Sequence, residues 1–320
     1  MKRVRVTITC CVIALAGLAF APHAEAQCSR EMLQKLADTY VKAQTAGNAT
    51  MLPLAAGSSY AENDKALDIA KGVLAGPLKV DFTRSLHDTS QCATFIELVA
   101  ATDPHPYVIH TRMEATPKGQ VSKIESVVTD EGDWVFGASE YLATTRSEKW
   151  DEIPTDKRDT RAVIQAAADA YINHWGNPDL PVPHGTPCAR LEGRMNTGIK
   201  NPEGNTCNMP AFPQRLNVGN RRYVIDETLG AVVIFHNFPW LDAGLPTDPG
   251  TPASQMFRVE GGKNRYIHEV TVCTTPGCGR AGAGRGRGGQ PGRGGQPGRG
   301  GQPGQGGPGQ GGQPGQGAPQ

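Results

Sequence analysis

R-M-E-A-T-P-K-G-Q-V-S-K-I, Arg112 to Ile124, is answered far downstream by R-V-E-G-G-K-N-R-Y-I, Arg258 to Ile267. Each stretch opens on Arg-x-Glu, turns at a glycine (Gly119-Gln120, Gly262-Lys263), and reaches an isoleucine five residues beyond that glycine. Each isoleucine leads into a segment read as a strand, Glu125–Thr129 and His268–Val272. Two hairpins of one design predict a chain built twice from one unit.

Working outward, the echoes continue in the same order. Arg84-x-x-x-Asp88 precedes the apolar run Ala93–Ala100, and Arg222-x-x-x-Asp226 precedes Ala231–Phe238. Further upstream, A-D-T-Y (Ala37–Tyr40) and A-D-A-Y (Ala168–Tyr171) sit in two amphipathic stretches. Leu33, Leu36, Ala37, Tyr40 and Val41 keep helical spacing in the first, with Ser29 as N-cap. Val163, Ala166, Ala167, Ala170 and Tyr171 keep it in the second, capped by Asp159 or Thr160. Gly47-Asn48 and Gly176-Asn177 are left-handed stop signals. Each half therefore reads helix, irregular Pro-containing insert, then at least three strands joined by hairpins. The expected class is α+β, with Trp150–Arg158, polar and Pro-broken, as the seam.

The ends differ from this body. Lys2, Arg3 and Arg5, an apolar run from Val6 to Phe20, and Ala24-Glu25-Ala26 form the three regions of a secretory signal peptide (1–26). That run is shorter than the ~20 residues a membrane span requires. From Arg280 the chain is Gly, Pro, Gln and Arg with G-R-G-G-Q-P recurring, a composition expected to stay disordered. Its spaced arginines suit weak contact with anionic surfaces. The units then cover 27–150 and 151–279.

Without signal and tail, 24 basic face 30 acidic residues, a balance unsuited to binding nucleic acid. The six cysteines outside the signal are an even set, which in an exported chain favours disulfides over metal. The favoured pairs are Cys188–Cys207 and Cys273–Cys278, leaving Cys28 for Cys92. Neither C-x-x-C nor finger-spaced histidines occur, so no zinc site is expected. G-x-S-x-G, P-loop, dinucleotide and H-E-x-x-H motifs are also missing, and no cofactor is expected.

A helix packed on a curved antiparallel sheet, with R-x-E and the Gly-to-Ile hairpin, resembles the cone-shaped α+β barrel of the NTF2-like superfamily, which includes ketosteroid isomerases, scytalone dehydratase and polyketide cyclases. The residues that carry it are Ala37–Tyr40, Arg112–Ile124, Ala168–Tyr171 and Arg258–Ile267. V-P-H-G-T-P-C-A-R-L-E-G, Val182–Gly193, followed by Cys207 and Pro210, is similar to the signature of secreted fungal and bacterial proteins with tandem NTF2-like units. The overall character, exported, duplicated and cysteine-stapled, also resembles glutathione-independent β-etherases that cut aryl ethers in lignin-derived compounds.

The resemblance implies general acid/base chemistry inside a cone, without cofactor. On neighbouring strands His236, Arg258, Glu260 and His268 would converge on one cavity, and His110, Arg112 and Glu114 form a compact set in the first unit. The expected acids and bases are His110, Glu114, His236, Glu260 and His268; Arg112 and Arg258 would hold a developing oxyanion. An Arg and a Glu two apart on a strand equally describe a solvated surface pair. Tyr40 and Tyr171, on the helix that lines the family's pocket, would donate to substrate or pack in the core. Asp88 and Asp226 are expected to pair locally, and His184, Arg190 and Glu192 to form a lid. The expected function is an exported enzyme that cleaves a C–O bond of a small aromatic molecule, the resemblance to β-etherases implying a lignin-derived one. The alternatives are a non-catalytic module for an apolar ligand or polymer, and an isomerase or dehydratase on the same fold.

Overall fold

The computed structural model describes residues 28–209, 215–239, 250–274 and 278, all within one unit, Met1–Gly284. The expected signal peptide and Gly/Pro/Gln/Arg tail lie outside the described residues. No helix among the described residues is long and apolar enough to cross a membrane.

Helix α1 (Arg30–Ala46) starts where the Ser29 side chain accepts from the Met32 amide, and stops at Gly47 in the left-handed conformation, φ 61°. Its buried stripe is Leu33, Leu36, Ala37, Tyr40 and Ala43. A second helix, α2 (Ala138–Ser147), unassigned from the sequence, has no side-chain cap and buries Ala138, Tyr141, Leu142 and Thr145. Helix α3 (Arg161–His174) is capped by Thr160 and buries Ile164, Ala167, Ala168, Tyr171 and Ile172. One stop signal was misread. Trp175 closes α3 in right-handed conformation, and Gly176 is not left-handed. A Cβ on Gly176 would sit 3.0 Å from the Leu216 carbonyl, so close backbone approach accounts for this glycine.

Twelve strands follow: β1 (Leu54–Glu62), β2 (Lys65–Ala66), β3 (Phe82–Asp88), β4 (Ala93–Ala100), β5 (Tyr107–Ala115) and β6 (Val121–Thr129) in the first half. The second half has β7 (His184–Glu192), β8 (Met195–Asn196), β9 (Gly219–Asp226), β10 (Ala231–Phe238), β11 (Thr251–Glu260) and β12 (Lys263–Thr271). They form two six-stranded sheets of the same order, β2-β1-β6-β5-β4-β3 and β8-β7-β12-β11-β10-β9. Hairpin neighbours are antiparallel, as expected, but β1 on β6 and β7 on β12 run parallel, so both sheets are mixed. The first strand of each sheet lay in the stretch read as an irregular insert. The architecture is α+β, two similar halves.

The halves meet reciprocally. Arg30, the first residue of α1, pairs with Asp226 at 2.7 Å, and Arg161, the first of α3, pairs with Asp88 at 2.7 Å. Asp226 also accepts from the His87 amide, and Asp88 from the Ile225 amide. Equivalent residues thus exchange equivalent bonds, as across a two-fold axis between identical subunits. This corrects the expected local pairing: Arg84 goes instead to Glu97, and Arg222 to Asp64 and Glu125.

Three apolar layers result. One lies between α1 and the first sheet, one between α3 and the second sheet, and one between the two sheets. Every residue of β4 and β10 is buried, because each strand has core on both faces.

The three disulfides are those the sequence favoured: Cys28–Cys92, Cys188–Cys207 and Cys273–Cys278. Loop-closure entropy ranks them, since the first spans 64 residues and the second 19. Replacing Cys28 and Cys92 by Ser is expected to cost about 4 kcal/mol, against about 3 for Cys188 and Cys207. Urea unfolding of both double variants measures the order.

Candidate functional site

Pairing register decides which side chains meet. Ala231 pairs with Arg258 and Arg258 with Tyr266, while Met256 pairs with His268; these residues share the face turned toward the first sheet. His236 pairs with Ala253 and shares the opposite face with Val232, Ile234 and Phe238, against α3. The expected convergence of His236 with Arg258, Glu260 and His268 is therefore overturned: the second sheet stands between them. Two separate polar assemblies take its place.

The first lies sealed between the sheets and is built around Glu97. Its Oε1 accepts from the Tyr141 hydroxyl at 2.6 Å and from His268 Nδ1 at 2.9 Å; its Oε2 accepts from Arg84 at 2.7 Å. His268 Nε2 reaches Glu148 at 2.7 Å, and His110 lies 3.2 Å from the Tyr141 hydroxyl and 3.0 Å from Ser254. Burial opposes the charge on Glu97, but Arg84 and the two histidines outweigh it and hold the carboxyl well below its usual range. Burial likewise opposes charge on His268, yet Glu148 and Glu97 push it up to about 9. Burial pushes His110 down, so it stays neutral. His110 and His268, expected to be catalytic, do meet, but Glu97, His110 and His268 all have 0% exposure. Satisfied and sealed, this network ties the halves together. Glu97 was missed although its signal was present, a lone acid inside A-T-F-I-E-L-V-A.

The second assembly lies on the inner face of the second sheet. Register sets Gln255, Glu269 and Glu192 side by side across β11, β12 and β7. Glu269 accepts from Gln255 Nε2 at 2.6 Å and from Thr271 Oγ1 at 2.9 Å. Arg190 pairs with Glu192 at 2.6 Å and donates to the Tyr171 hydroxyl at 3.4 Å. Burial, then the Glu192 charge, pushes Glu269 up to about 7, against its hydrogen bonds and Arg190. Burial pushes the Tyr171 hydroxyl far up, so it remains a donor.

The first half carries no such set. The matched hairpins and strands place Ser126 where the second half has Glu269, Ile109 for Gln255, Leu98 for His236 and Tyr60 for Arg190. Leu98, Ile109 and Tyr60 belong to its apolar core, and the Tyr40 hydroxyl is bonded to Thr111 at 2.8 Å. The first interior keeps hydroxyls, Tyr40, Thr111 and Ser126, but not the Gln255–Glu269 pair.

Of the remaining expected residues, Arg112 and Arg258 are buried and also donate to the Tyr223 and Leu229 carbonyls, while their partners Glu114 and Glu260 reach solvent. Arg112 pairs with Glu114 and Glu125, and Arg258 with Glu260; the Glu114 and Glu260 side chains are 38% and 41% exposed. Arg190 and Glu192 are strand residues of β7 and not the expected lid. His184 does reach the surface side. It lines a cavity of about 380 Å³ with His174, Leu180, Val182 and Met209, and its ring lies 6.1 Å from that of Tyr171. Burial, then Arg190, pushes His184 down to about 4. Among the described residues His184, Cys188 and Cys207 bring donor atoms together, but the two sulfurs are joined to each other and leave no thiolate for a metal.

Residues 157–271 match a family model described as a domain of unknown function (DUF8021). That span takes in α3 and the whole second sheet, hence the Glu269 assembly. No curated protein matches the chain.

Proposed function

We propose that the second half is a cofactor-independent acid/base site, in a cone of the NTF2-like kind, for a small aromatic substrate whose C–O bond is cleaved. One observation carries the reading: Glu269, a buried carboxyl poised near neutral pH, sits beside a hydroxyl held by an arginine. A group with its pKa near the working pH exchanges protons most effectively. In cleavage of an aryl ether, the Glu269 carboxylate takes the proton from the carbon or hydroxyl neighbouring the ether. The electron pair so freed forms a C=C bond (from the carbon) or an epoxide C–O bond (from the hydroxyl) to the ether carbon, as the ether C–O bond breaks and its pair leaves with the aryl oxide. Tyr171, positioned by Arg190, hydrogen-bonds that oxygen as charge develops, and Glu269 later returns its proton. Three disulfides suit an exported protein, since such bonds persist in oxidising surroundings.

The test is release of a phenol from a β-O-4 aryl ether dimer by the purified protein without thiol. Turnover is expected to rise as pH passes about 7, where Glu269 ionises. Absence of phenol release from pH 5 to 9, with the dimer still bound, would leave a binding module.

A further inference from the structure

One polar side chain on the inner face of the second sheet has no part in that chemistry. His236 stands between Ile234 and Phe238 on β10 with 0% exposure; among the described residues neither ring nitrogen has a partner at hydrogen-bond geometry, the Asn237 backbone being the polar group that acts on the ring. A buried polar group left unpaired is costly to a fold, and the first half carries Leu98 at the equivalent strand position. Packing therefore does not account for the imidazole.

Its surroundings are aromatic. The Trp175 ring lies 6.2 Å away, edge-on, and packs in turn on Phe238 at 4.8 Å and Tyr171 at 5.7 Å. The Trp175 indole N–H donates to the Met209 sulfur, a weak acceptor on a flexible side chain. Met209 also lines the 380 Å³ surface cavity, so cavity, Met209, Trp175 and His236 follow one another inward. Burial, then Arg221, pushes His236 down to about 3. The neutral ring offers one donor and one acceptor, and no charge to meet an anion.

We propose that His236 anchors a small uncharged aromatic ligand, whose hydroxyl or carbonyl oxygen bonds the imidazole while its ring takes the place of Met209 against Trp175. This rests on the reading that the second half holds the site, and adds the charge class of the substrate. His236 is two strands across and one row along from Glu269, about 12 Å between Cα atoms at ordinary strand spacings. That distance accommodates one aromatic ring between two polar ends.

The test titrates the full chain with benzyl alcohol, phenol, toluene and benzoate, following the His236 ring nitrogens by NMR and tryptophan fluorescence. The two neutral oxygenated probes are expected to saturate and to shift the His236 signals, with toluene and benzoate at least about ten-fold weaker. His236→Phe is expected to raise Tm by roughly 2–4 °C, because it removes an unpaired group, and to weaken benzyl alcohol about ten-fold. His236→Gln, which keeps a donor and an acceptor, retains part of that affinity. Equal affinity for toluene and benzyl alcohol, preference for benzoate, or a His236→Phe variant with unchanged affinity overturns the proposal. Binding needs no turnover, so Glu269→Gln should still bind benzyl alcohol. If that variant binds the probe and also turns over normally, the acid/base reading fails while this one stands.

Discussion

Glu269→Gln is expected to lower turnover by a factor of about 10²–10⁴ without unfolding the protein. The substitution keeps the shape of the side chain and its place beside Gln255 and Thr271 while removing the exchangeable proton. Stability gives an independent readout. Glu269 has a folded pKa of about 7, raised above its ordinary 4.5 by burial and by Glu192. A carboxyl shifted upward favours the fold below its unfolded pKa, and that contribution disappears as pH rises through the folded value. The native protein should therefore lose stability from this group between about pH 4.5 and 7, by roughly 3 kcal/mol. Glu269→Gln should be as stable as the parent at pH 4 and more stable at pH 8. Calorimetric scans at the two pH values decide it. A variant equally destabilised at both would mean that Glu269 serves packing only.

The second large effect falls on the sealed network. Glu97→Ala is expected to destabilise by about 3–5 kcal/mol, because it leaves Arg84 and a charged His268 buried without their shared partner and removes the short acceptor of the Tyr141 hydroxyl. The pH dependence has its own sign. His268, raised from 6.5 to about 9 by Glu148 and Glu97 against its burial, contributes fully below about pH 6.5 and loses its contribution as pH passes 9. Glu97, held low, contributes above its ordinary pKa and loses that contribution only in strong acid. His268→Gln should flatten the alkaline limb of a stability–pH curve, a change of about 3 kcal/mol between pH 6 and 10. Urea midpoints across that range measure it. An unchanged alkaline limb would show that the imidazole is not charged between the two carboxylates.

These expectations divide along a line that runs through single strands. Ala231–Phe238 was legible as a strand, and so was its alternation, with Val232, Ile234, His236 and Phe238 on one side. Both sides are apolar, however, since β10 is buried on both faces. Nothing local therefore says that the His236 side meets α3 and the other side meets the first half. The same ambiguity hid Glu97, whose face becomes the seam between sheets only because two halves stack back to back. Glu269 escaped notice beside His268, on the other face of the same strand. In β7 the segment before Cys188 reads as Pro-rich loop, and its pairing with β12 needs partners more than seventy residues away.

The amino-acid sequence by itself pointed to the duplication, the helix start at Ser29, a second start at Asp159 or Thr160, the core strands and a favoured set of three disulfide pairs, all of which the structure contains, with Thr160 as the second cap. These follow from short-range periodicity, capping and the number of cysteines, all carried by residues near one another or by simple elimination. Tertiary structure alone decided that His110 joins His268 around Glu97, that His236 faces away from both, and that Glu269 lies beside Gln255 and Glu192 in a set the first half does not repeat. The reason is parity. A strand turns alternate residues to opposite faces, and which face becomes interior and which becomes interface is set by what packs on it.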